Sequence, residues 1–277
     1  MTTERAFRFG RARHLVGIAG LPAAARGNVG VIVLNTGLMH RVGPFRLHVD
    51  LTRRLNALGY PTLRFDLSTM GDSGASAEAG PREEQIRADV RDAAALLAAH
   101  AGCARFVLVG LCRGAQSAHI ACSEAGVVGA VFLDGYIYRT AGFKLRHYLP
   151  RLFSPSRWRG FLVRKLREAM VPEEEVSFGS VYPPRAKVRG ELADMLARGL
   201  RLCFVYSGGI GEQFNHPRQF RECYGRSVAD HPALHMDLLD GTDHTYTLLC
   251  DRERLFGHIE GWLLQQFPPT PKTTPTD

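Results

Sequence analysis

The segment Gly110-Leu-Cys-Arg-Gly114 places a nucleophilic side chain between two glycines. The apolar run 105–109 before it predicts a buried strand, and the small residues of 115–122 after it predict a helix. A strand, a G-x-nucleophile-x-G turn and a helix form a nucleophile elbow, whose glycines leave room where a Cβ would collide. Because a helix N-terminus lowers the pKa of a thiol, Cys112 is predicted to attack as a thiolate and to form an acyl thioester.

A candidate base lies near the end of the sequence. His244 belongs to Gly241-Thr-Asp-His244, directly after the apolar run 234–239 that predicts the last strand. A histidine in such a loop is poorly placed for core packing. Its imidazole can accept the Cys112 proton or hold a thiolate–imidazolium pair. We therefore expect His244 to be the general base.

Elements that alternate between strand and helix must position these two side chains. Apolar runs predict strands at 29–34, 62–66, 127–133 and 202–206 besides those already named. Helical patterns lie between them and at the end, over 45–58, 85–101 and 252–267. This alternation predicts an α/β protein with a mostly parallel central sheet flanked by helices. Such sheets carry their sites at the carboxyl ends of the strands, where Cys112 and His244 both fall.

The chain resembles the α/β-hydrolase superfamily over residues 5–267. The matching pieces are Asn35-Thr-Gly-Leu38 after a strand, the Asp- and Gly-containing loop 65–73, the elbow 110–114 and Gly241-Thr-Asp-His244. The elbow carries cysteine where the family usually has serine, which resembles dienelactone hydrolases, polyhydroxyalkanoate synthases and some carrier-linked thioesterases. The resemblance implies the α/β-hydrolase fold with a helical lid insertion.

The resemblance also implies an acid that orients His244, and the sequence offers two. The family places it after the strand assigned to 202–206, where Glu212 is the carboxylate of the following loop. Some members use the end of the strand after the elbow helix, where Asp134 lies. Glu212, Asp134 and no acid at all remain open, because a thiolate–imidazolium pair depends on an acid less than a serine does. Asp243 adjoins His244 and is expected to point elsewhere.

The fold further implies two main-chain donors for the oxyanion of a tetrahedral intermediate. One is the N–H of Arg113, and the other comes from the Gly37-Leu38 turn. Three residues are expected to contact the substrate: His40, Arg41 and Tyr136. For His40 and Arg41 the alternative is a solvated loop. Asp66 and Asp72 are expected to fasten their own loop by hydrogen bonds to main-chain N–H groups.

Composition and charge divide the chain and suggest partners. We expect a core of 1–135 and 198–267, a helical basic lid of 136–197 and a disordered tail of 268–277. The net charge is +8, and the stretch 139–168 alone holds nine Lys or Arg residues and one acidic residue. This basic stretch is either a solvated face or a surface that attracts an anionic partner. The candidate partners are a CoA or phosphopantetheine arm, an acidic carrier protein, a carboxylate substrate and a membrane surface.

Other features narrow the function class. The six cysteines lack metal-like spacing, which predicts free thiols in a reducing cytoplasm, and no metal site. The sequence holds no span-length apolar run, nucleotide-binding glycine motif or nucleic-acid recognition motif, so we expect no membrane segment, cofactor or nucleic-acid partner. We therefore expect a thioesterase- or acyltransferase-type enzyme that forms an acyl-Cys112 thioester. The alternatives are a carboxylic-ester or lactone hydrolase, and a non-catalytic binding relative of the same fold.

Overall fold

The computed structural model describes residues 2–23, 27–76, 80–152 and 182–268. Within them lies one eight-stranded sheet with the strand order β1-β2-β4-β3-β5-β6-β7-β8. Its strands are β1 Thr2–Phe9, β2 Leu15–Pro22, β3 Val29–Val33, β4 Thr62–Asp66, β5 Arg105–Leu111, β6 Val127–Leu133, β7 Arg201–Ser207 and β8 Leu234–Leu239. The first hairpin is antiparallel and β2 pairs antiparallel with β4, whereas all the other pairs are parallel. The predicted mostly parallel α/β architecture is confirmed.

Helices cover the sheet in the described parts of the chain. They are α1 Leu47–Ala57, α2 Arg82–Ala101, α3 Arg113–Ala121, α4 Ala141–Leu152, α5 Arg185–Ala197, α6 Arg218–Tyr224, α7 Arg226–Ala229 and α8 Leu249–Gln266. Sequence periodicity predicts a start at Phe45 for α1, but Phe45 and Arg46 adopt φ values of 47° and 68°, which are not helical. The helix therefore begins at Leu47.

The side chains of β3 show how the sheet is covered on both faces. Ile32 packs in the layer that contains α2, α3 and α5, as does Leu34, which directly follows the strand. Val31 and Val33 point the other way, into the layer that contains α1 and α8. All five residues of β3 are buried, because neighbouring strands flank it and helices cover both of its faces. Such a double core holds the strand ends rigidly and so fixes the loops that follow them.

The segment 136–197 is described at its two ends. Helix α4 lies at its start, and α5 lies at its end with Val188, Leu192 and Met195 in the core. Residues 153–181 and the tail 269–277 lie outside the described residues, so the lid and the disordered tail stay predictions. No helix in the described ranges is long and apolar enough to cross a membrane.

The last helix is tied to the amino ends of the strands. Phe267, directly after α8, accepts a hydrogen bond at its carbonyl oxygen from the hydroxyl of Tyr60 at 2.8 Å. The Phe267 ring packs edgewise on Trp262, and the guanidinium of Arg105, the first residue of β5, lies 5.5 Å from its centroid. The chain at Phe267 is therefore anchored at the amino ends of the strands, whereas Cys112 lies at their carboxyl ends.

Candidate active site

Cys112 occupies a strained turn between β5 and α3. Its backbone has φ 57° and ψ −115°, a conformation that L-residues rarely adopt. A Cβ on Gly110 would lie 2.1 Å from the carbonyl oxygen of Gly114, and a Cβ on Gly114 would lie 2.5 Å from that of Asn35. Neither glycine can be replaced without moving main chain, as the elbow motif predicts. The turn therefore presents the Cys112 thiol at the N-terminus of α3.

His244 is held by a fastened loop after β8. The neighbouring Asp243 accepts hydrogen bonds from the main-chain N–H groups of Thr245 and Thr247, both at 2.8 Å. Its carboxylate thus points back into its own loop rather than at the imidazole, as expected from adjacency. Gly209 lies so close to this loop that a Cβ on it would be 2.3 Å from the main-chain nitrogen of His244. Local hydrogen bonds and close packing therefore fix the main chain of His244, from which the imidazole extends.

Asp134 is the carboxylate that meets His244. Its Oδ2 lies 2.6 Å from His244 Nδ1, and its side chain is only 1% exposed. The same carboxylate accepts hydrogen bonds from the main-chain N–H and the hydroxyl of Ser207, at 2.6 and 2.7 Å. Asp134 follows β6 with φ 49°, and this left-handed conformation is part of the turn after the strand. Of the two acids that the sequence offers, the structure brings Asp134 to the imidazole.

Glu212 lies elsewhere, which corrects the family-based expectation. Its side chain is 73% exposed, and its carboxylate is 3.6 Å from His147 Nε2 in α4. The carbonyl oxygen of Glu212 accepts a hydrogen bond from Arg139 Nε at 2.7 Å. The chain after β7 forms a 3₁₀ turn at Gly208–Ile210, which carries Glu212 away. The residue that β7 sends to the site is Ser207, at the very end of the strand.

The electrostatics of the cluster favour a charged pair. A hydrogen bond with His244 is the largest influence on Cys112 and, against the opposing effect of burial, lowers the pKa of the thiol. Hydrogen bonds to Asp134 and then to Cys112 raise the pKa of His244 to about 10. The main-chain N–H of Arg113 also hydrogen-bonds the sulfur. Each contact therefore shifts the pair in the direction of thiolate and imidazolium.

The loop after β3 lies directly beside the elbow. The Asn35 amide donates to the Met39 carbonyl oxygen at 2.8 Å, and the turn closes with a hydrogen bond from Met39 N to the Thr36 oxygen at 3.0 Å. Gly37, inside this turn, has φ 56°. The contact between Asn35 and Gly114 brings this loop against the first turn of α3. The oxyanion role of the Arg113 N–H and of the Gly37-Leu38 turn stays a prediction.

The guanidinium of Arg41 forms ion pairs with two carboxylates. Its Nη1 lies 2.5 Å from Asp66 Oδ2 and 2.7 Å from Asp72 Oδ2, and its main-chain N–H donates to Asp66 Oδ1 at 2.5 Å. The expectation that Arg41 contacts a substrate therefore finds no support in this geometry. Asp66 also accepts from the main-chain N–H of Asp72 at 3.1 Å, so it fastens its own loop as expected. His40 is exposed beside it, and its substrate contact stays a prediction.

Tyr136 forms the floor of an aromatic group near the elbow. It is buried, and its carbonyl oxygen accepts hydrogen bonds from the hydroxyls of Tyr206 and Tyr224, at 3.0 and 2.5 Å. The ring of Tyr182 meets it edgewise, with centroids 5.2 Å apart. The substrate contact of Tyr136 stays a prediction.

Sequence reasoning did not predict the contacts of three residues in this region: Asn35, which hydrogen-bonds to Met39, Ser207, which hydrogen-bonds to Asp134, and Tyr182, whose ring packs on Tyr136. Asn35 and Ser207 each follow an apolar strand directly, and a polar residue at that position is a usable signal. Tyr182 carries no such signal, because it precedes Pro183-Pro184 in a segment without periodic pattern. Its position depends on contacts with rings distant in sequence.

Comparison with known proteins agrees with this architecture. The model of the Alpha/beta hydrolase family matches residues 22–267. An esterase of Pyrococcus furiosus, Pf2001, superposes with a TM-score of 0.61 at 15% identity, over 96% of this chain and 91% of that one. The esterase domain of a Rhodothermus marinus protein gives 0.57 at 17% identity, over 96% and 99%. A serine hydrolase of Xanthomonas campestris described as lacking a lid, XC6422, gives 0.54 at 14% identity, over 98% and 97%.

No curated protein sequence matches the chain. The structural neighbours are so distant in sequence that they establish the fold alone. The family match spans most of the chain, including the elbow and the His244 loop. Together with the strand order and the placement of the site at the carboxyl ends of the strands, it shows that the chain belongs to the alpha/beta hydrolase family.

Proposed function

We propose that the protein is a cysteine-dependent acyl-transfer enzyme of the thioesterase or acyltransferase type. The observation that carries the proposal is the hydrogen-bonded series Cys112–His244–Asp134 at the N-terminus of α3. In it, the nucleophile is a thiol with a lowered pKa, the base has a raised pKa, and a buried carboxylate orients the base. These are the parts that covalent catalysis through an acyl intermediate requires.

In the first half-reaction the Cys112 thiolate attacks the acyl carbonyl carbon and forms a carbon–sulfur bond. The bond between that carbon and the leaving thiolate or alkoxide then breaks. His244, present as imidazolium, donates its proton to the leaving group and becomes neutral. Asp134 holds the ring through Nδ1, so that Nε2 is the nitrogen that faces Cys112. The product of this step is an acyl-Cys112 thioester.

In the second half-reaction neutral His244 accepts a proton from water or another acceptor. The activated acceptor attacks the thioester carbon, and the Cys112 thiolate leaves, which regenerates the charged pair. The developing oxyanion of both steps would be bound by the N–H of Arg113 and by the Gly37-Leu38 turn. A thioester donor suits this cycle, because exchange of one thioester for another is nearly isoenergetic. We therefore favour a CoA or pantetheine thioester as donor.

The basic stretch that begins at Arg139 supports an anionic donor or an acidic carrier protein as partner, since opposite charge accelerates encounter. In its described part, however, Arg146 is paired with Glu222 at 2.8 Å, and Arg139 donates to the Glu212 carbonyl. Lys144 is exposed on the same helix. We propose no cofactor for the reaction, since the chain's own thiol and imidazole account for every bond made and broken.

A second candidate is hydrolysis of carboxylic esters or lactones through the same residues. The similarity of the fold to two esterases favours it. The two candidates differ in the donor that acylates Cys112 fastest and in the acceptor that removes the acyl group. A non-catalytic binding relative, the third possibility, would show neither reaction.

Intact-protein mass spectrometry tests the proposal. Wild type, Cys112→Ala and the matched control Cys122→Ala are incubated with acyl-CoA and acyl-pantetheine thioesters and with activated esters. We expect a mass gain of one acyl group on wild type and on Cys122→Ala, but not on Cys112→Ala. An adduct formed equally on Cys112→Ala would overturn the assignment of the nucleophile. Acylation by esters alone would favour the hydrolase candidate, and no adduct or turnover with any donor would contradict an acyl-transfer function.

A further inference from the structure

The guanidinium of Arg252, in the first turn of α8, has no part in the steps described above. Its Nε donates to the carbonyl oxygen of Tyr246 at 2.8 Å, and its Nη1 donates to that of Phe45 at 2.8 Å. Its Nη2 reaches the carbonyl oxygen of Thr247 at 3.4 Å. Tyr246 and Thr247 belong to the loop after β8 that carries His244, whereas Phe45 lies in the segment that leads from β3 to α1. Arg252 therefore links the loop of His244 to a second loop.

The burial of this guanidinium makes each of its contacts important. Arg252 is only 7% exposed, so a lost hydrogen bond is not readily replaced by one to water. The carboxylate of Asp50 lies 3.7 Å from Nη1, and the ring of Phe45 lies 5.8 Å from the guanidinium carbon. The planar fork of a guanidinium directs its N–H donors to several acceptors in fixed directions. One side chain thus holds main chain from two loops.

Two of the three carbonyl groups belong to residues with a left-handed backbone. The φ values are 53° at Tyr246 and 47° at Phe45. Such conformations are unfavourable for residues with large side chains and persist only where surrounding contacts hold them. A hydrogen bond from the buried guanidinium to the carbonyl oxygen of each residue is a contact of this kind. Removal of Arg252 is therefore expected to loosen both turns.

The turn at Tyr246 is connected directly to the residues that flank His244. The main-chain N–H of Tyr246 donates to the carbonyl oxygen of Asp243 at 3.2 Å, and that of Thr247 donates to the Asp243 carboxylate at 2.8 Å. These hydrogen bonds close the loop on itself and set its internal shape, but they do not fix the loop relative to the rest of the molecule. Arg252 supplies a link of that second kind, from α8 to the same turn.

We propose that Arg252 is a positioning residue for the general base, because it holds the loop of His244 so that the imidazole meets Asp134 and Cys112 together. The distance of 2.6 Å between His244 Nδ1 and Asp134 Oδ2 leaves little room for displacement of the loop. Since the contact with His244 is the largest influence that lowers the pKa of Cys112, a displaced imidazole moves that pKa upward. This inference rests on the proposed function and adds a residue that acts through its base.

The pH profile of Cys112 alkylation by iodoacetamide tests the proposal, because it reports the thiolate and needs no substrate. The rate is followed on the Cys112 peptide by mass spectrometry in wild type, Arg252→Met, Arg252→Lys and His244→Ala. Methionine removes every donor and the charge, whereas lysine keeps the charge but cannot reproduce the fork that reaches both loops. His244→Ala gives the midpoint of the profile when the imidazole is absent.

Arg54→Met is the matched control. Arg54, in α1, connects this helix with α8, since its guanidinium lies 2.5 Å from the carboxylates of Glu253 and Glu260. Both partners lie along α8, and neither belongs to the loop of His244. The variant therefore removes a guanidinium at α8 while the contacts of that loop remain. Thermal unfolding followed by circular dichroism identifies a temperature at which the variants are folded, and alkylation is measured there.

We expect Arg252→Met to move the midpoint toward that of His244→Ala by about 0.5 to 1 on the pH scale, a roughly 3- to 10-fold weaker stabilisation of the thiolate. Arg252→Lys should move it less, and Arg54→Met should keep the wild-type midpoint. An unchanged midpoint in folded Arg252→Met, or an equal shift in Arg54→Met, would overturn the role of Arg252 and leave the proposed function standing.

If Arg252→Met does not fold, Arg252→Lys decides, and an unchanged midpoint in that variant would overturn the role of Arg252 in the same way. Failure of every thioester and ester to acylate wild-type Cys112 would instead overturn the proposed function itself.

Discussion

The two ends of helix α3 each carry a cysteine, and the two thiols have opposite properties. Cys112 caps the N-terminus, is partly exposed and has a lowered pKa because of its hydrogen bond with His244. Cys122 caps the C-terminus, is fully buried, and burial raises its pKa to about 12. The comparison shows that surroundings, and not residue type, decide whether the pKa of a thiol is lowered or raised. One is equipped for chemistry, and the other packs as a small apolar side chain.

The largest expected difference follows from removing each thiol. Cys112→Ala should lower kcat by about 10⁴-fold or more, because the covalent intermediate can no longer form. Cys122→Ala should leave kcat within about twofold of wild type and lower the free energy of unfolding by about 1 kcal/mol. Steady-state kinetics and urea unfolding measure the two effects. Comparable loss of activity in both variants would show that the comparison between the thiols is wrong.

Removal of the imidazole should make Cys112 more like an ordinary thiol. In His244→Ala we expect kcat to fall by about 10²–10⁴-fold, as for loss of a general acid–base. The pKa of Cys112 should rise, because its largest stabilising contact is gone. Alkylation by iodoacetamide at pH 7, followed by mass spectrometry, reports the thiolate directly. A Cys250→Ser background removes the exposed Cys250. An unchanged alkylation rate would contradict the charged pair.

Loss of the acid should have a smaller effect. Asp134→Asn weakens the hydrogen bond that raises the pKa of His244, and we expect kcat to fall by about 10- to 100-fold. Glu212→Gln is the matched control, since that carboxylate is exposed and faces His147. It should keep wild-type kinetics. A greater loss in Glu212→Gln than in Asp134→Asn would restore Glu212 as the acid.

The pH dependence of stability should show the smallest difference. The raised pKa of His244 gives a contribution that is complete below pH 6.5 and is lost as pH rises through about 10. The lowered pKa of Cys112 gives one that is present above pH 9 and is lost as pH falls through its folded value. Between pH 6.5 and 9 the two slopes oppose each other in wild type.

In Cys112→Ala the Cys112 slope disappears, so His244, still bound to Asp134, should make stability decline as pH rises. We expect the Tm difference between wild type and Cys112→Ala to change by about 1–3 °C from pH 6.5 to 9, measured by calorimetry. A difference that stays constant over this range would indicate that the pair is neutral in the folded protein.

Much of this arrangement is predictable from local sequence. The strands Thr62–Asp66 and Val127–Leu133 have the bounds that their apolar runs predict. The elbow and the His244 loop lie at the carboxyl ends of β5 and β8, as the alternation of strands and helices predicts. The choice between Asp134 and Glu212 was not predictable, because both follow strands, and the decision depends on a left-handed turn at Asp134 and a 3₁₀ turn after Ser207. Tyr182 was missed because only tertiary contacts with Tyr136 and Tyr138 position it.

The anchoring of Phe267 has a practical consequence for handling the protein. Its carbonyl oxygen accepts a hydrogen bond from Tyr60 at the amino ends of the strands, whereas Cys112 lies at their carboxyl ends. The length of a strand such as β5, about 20 Å at roughly 3.3 Å per residue, separates the two ends. An affinity handle or surface tether joined after Phe267 would therefore orient every molecule with its thiol away from the support and accessible to a large carrier-bound donor.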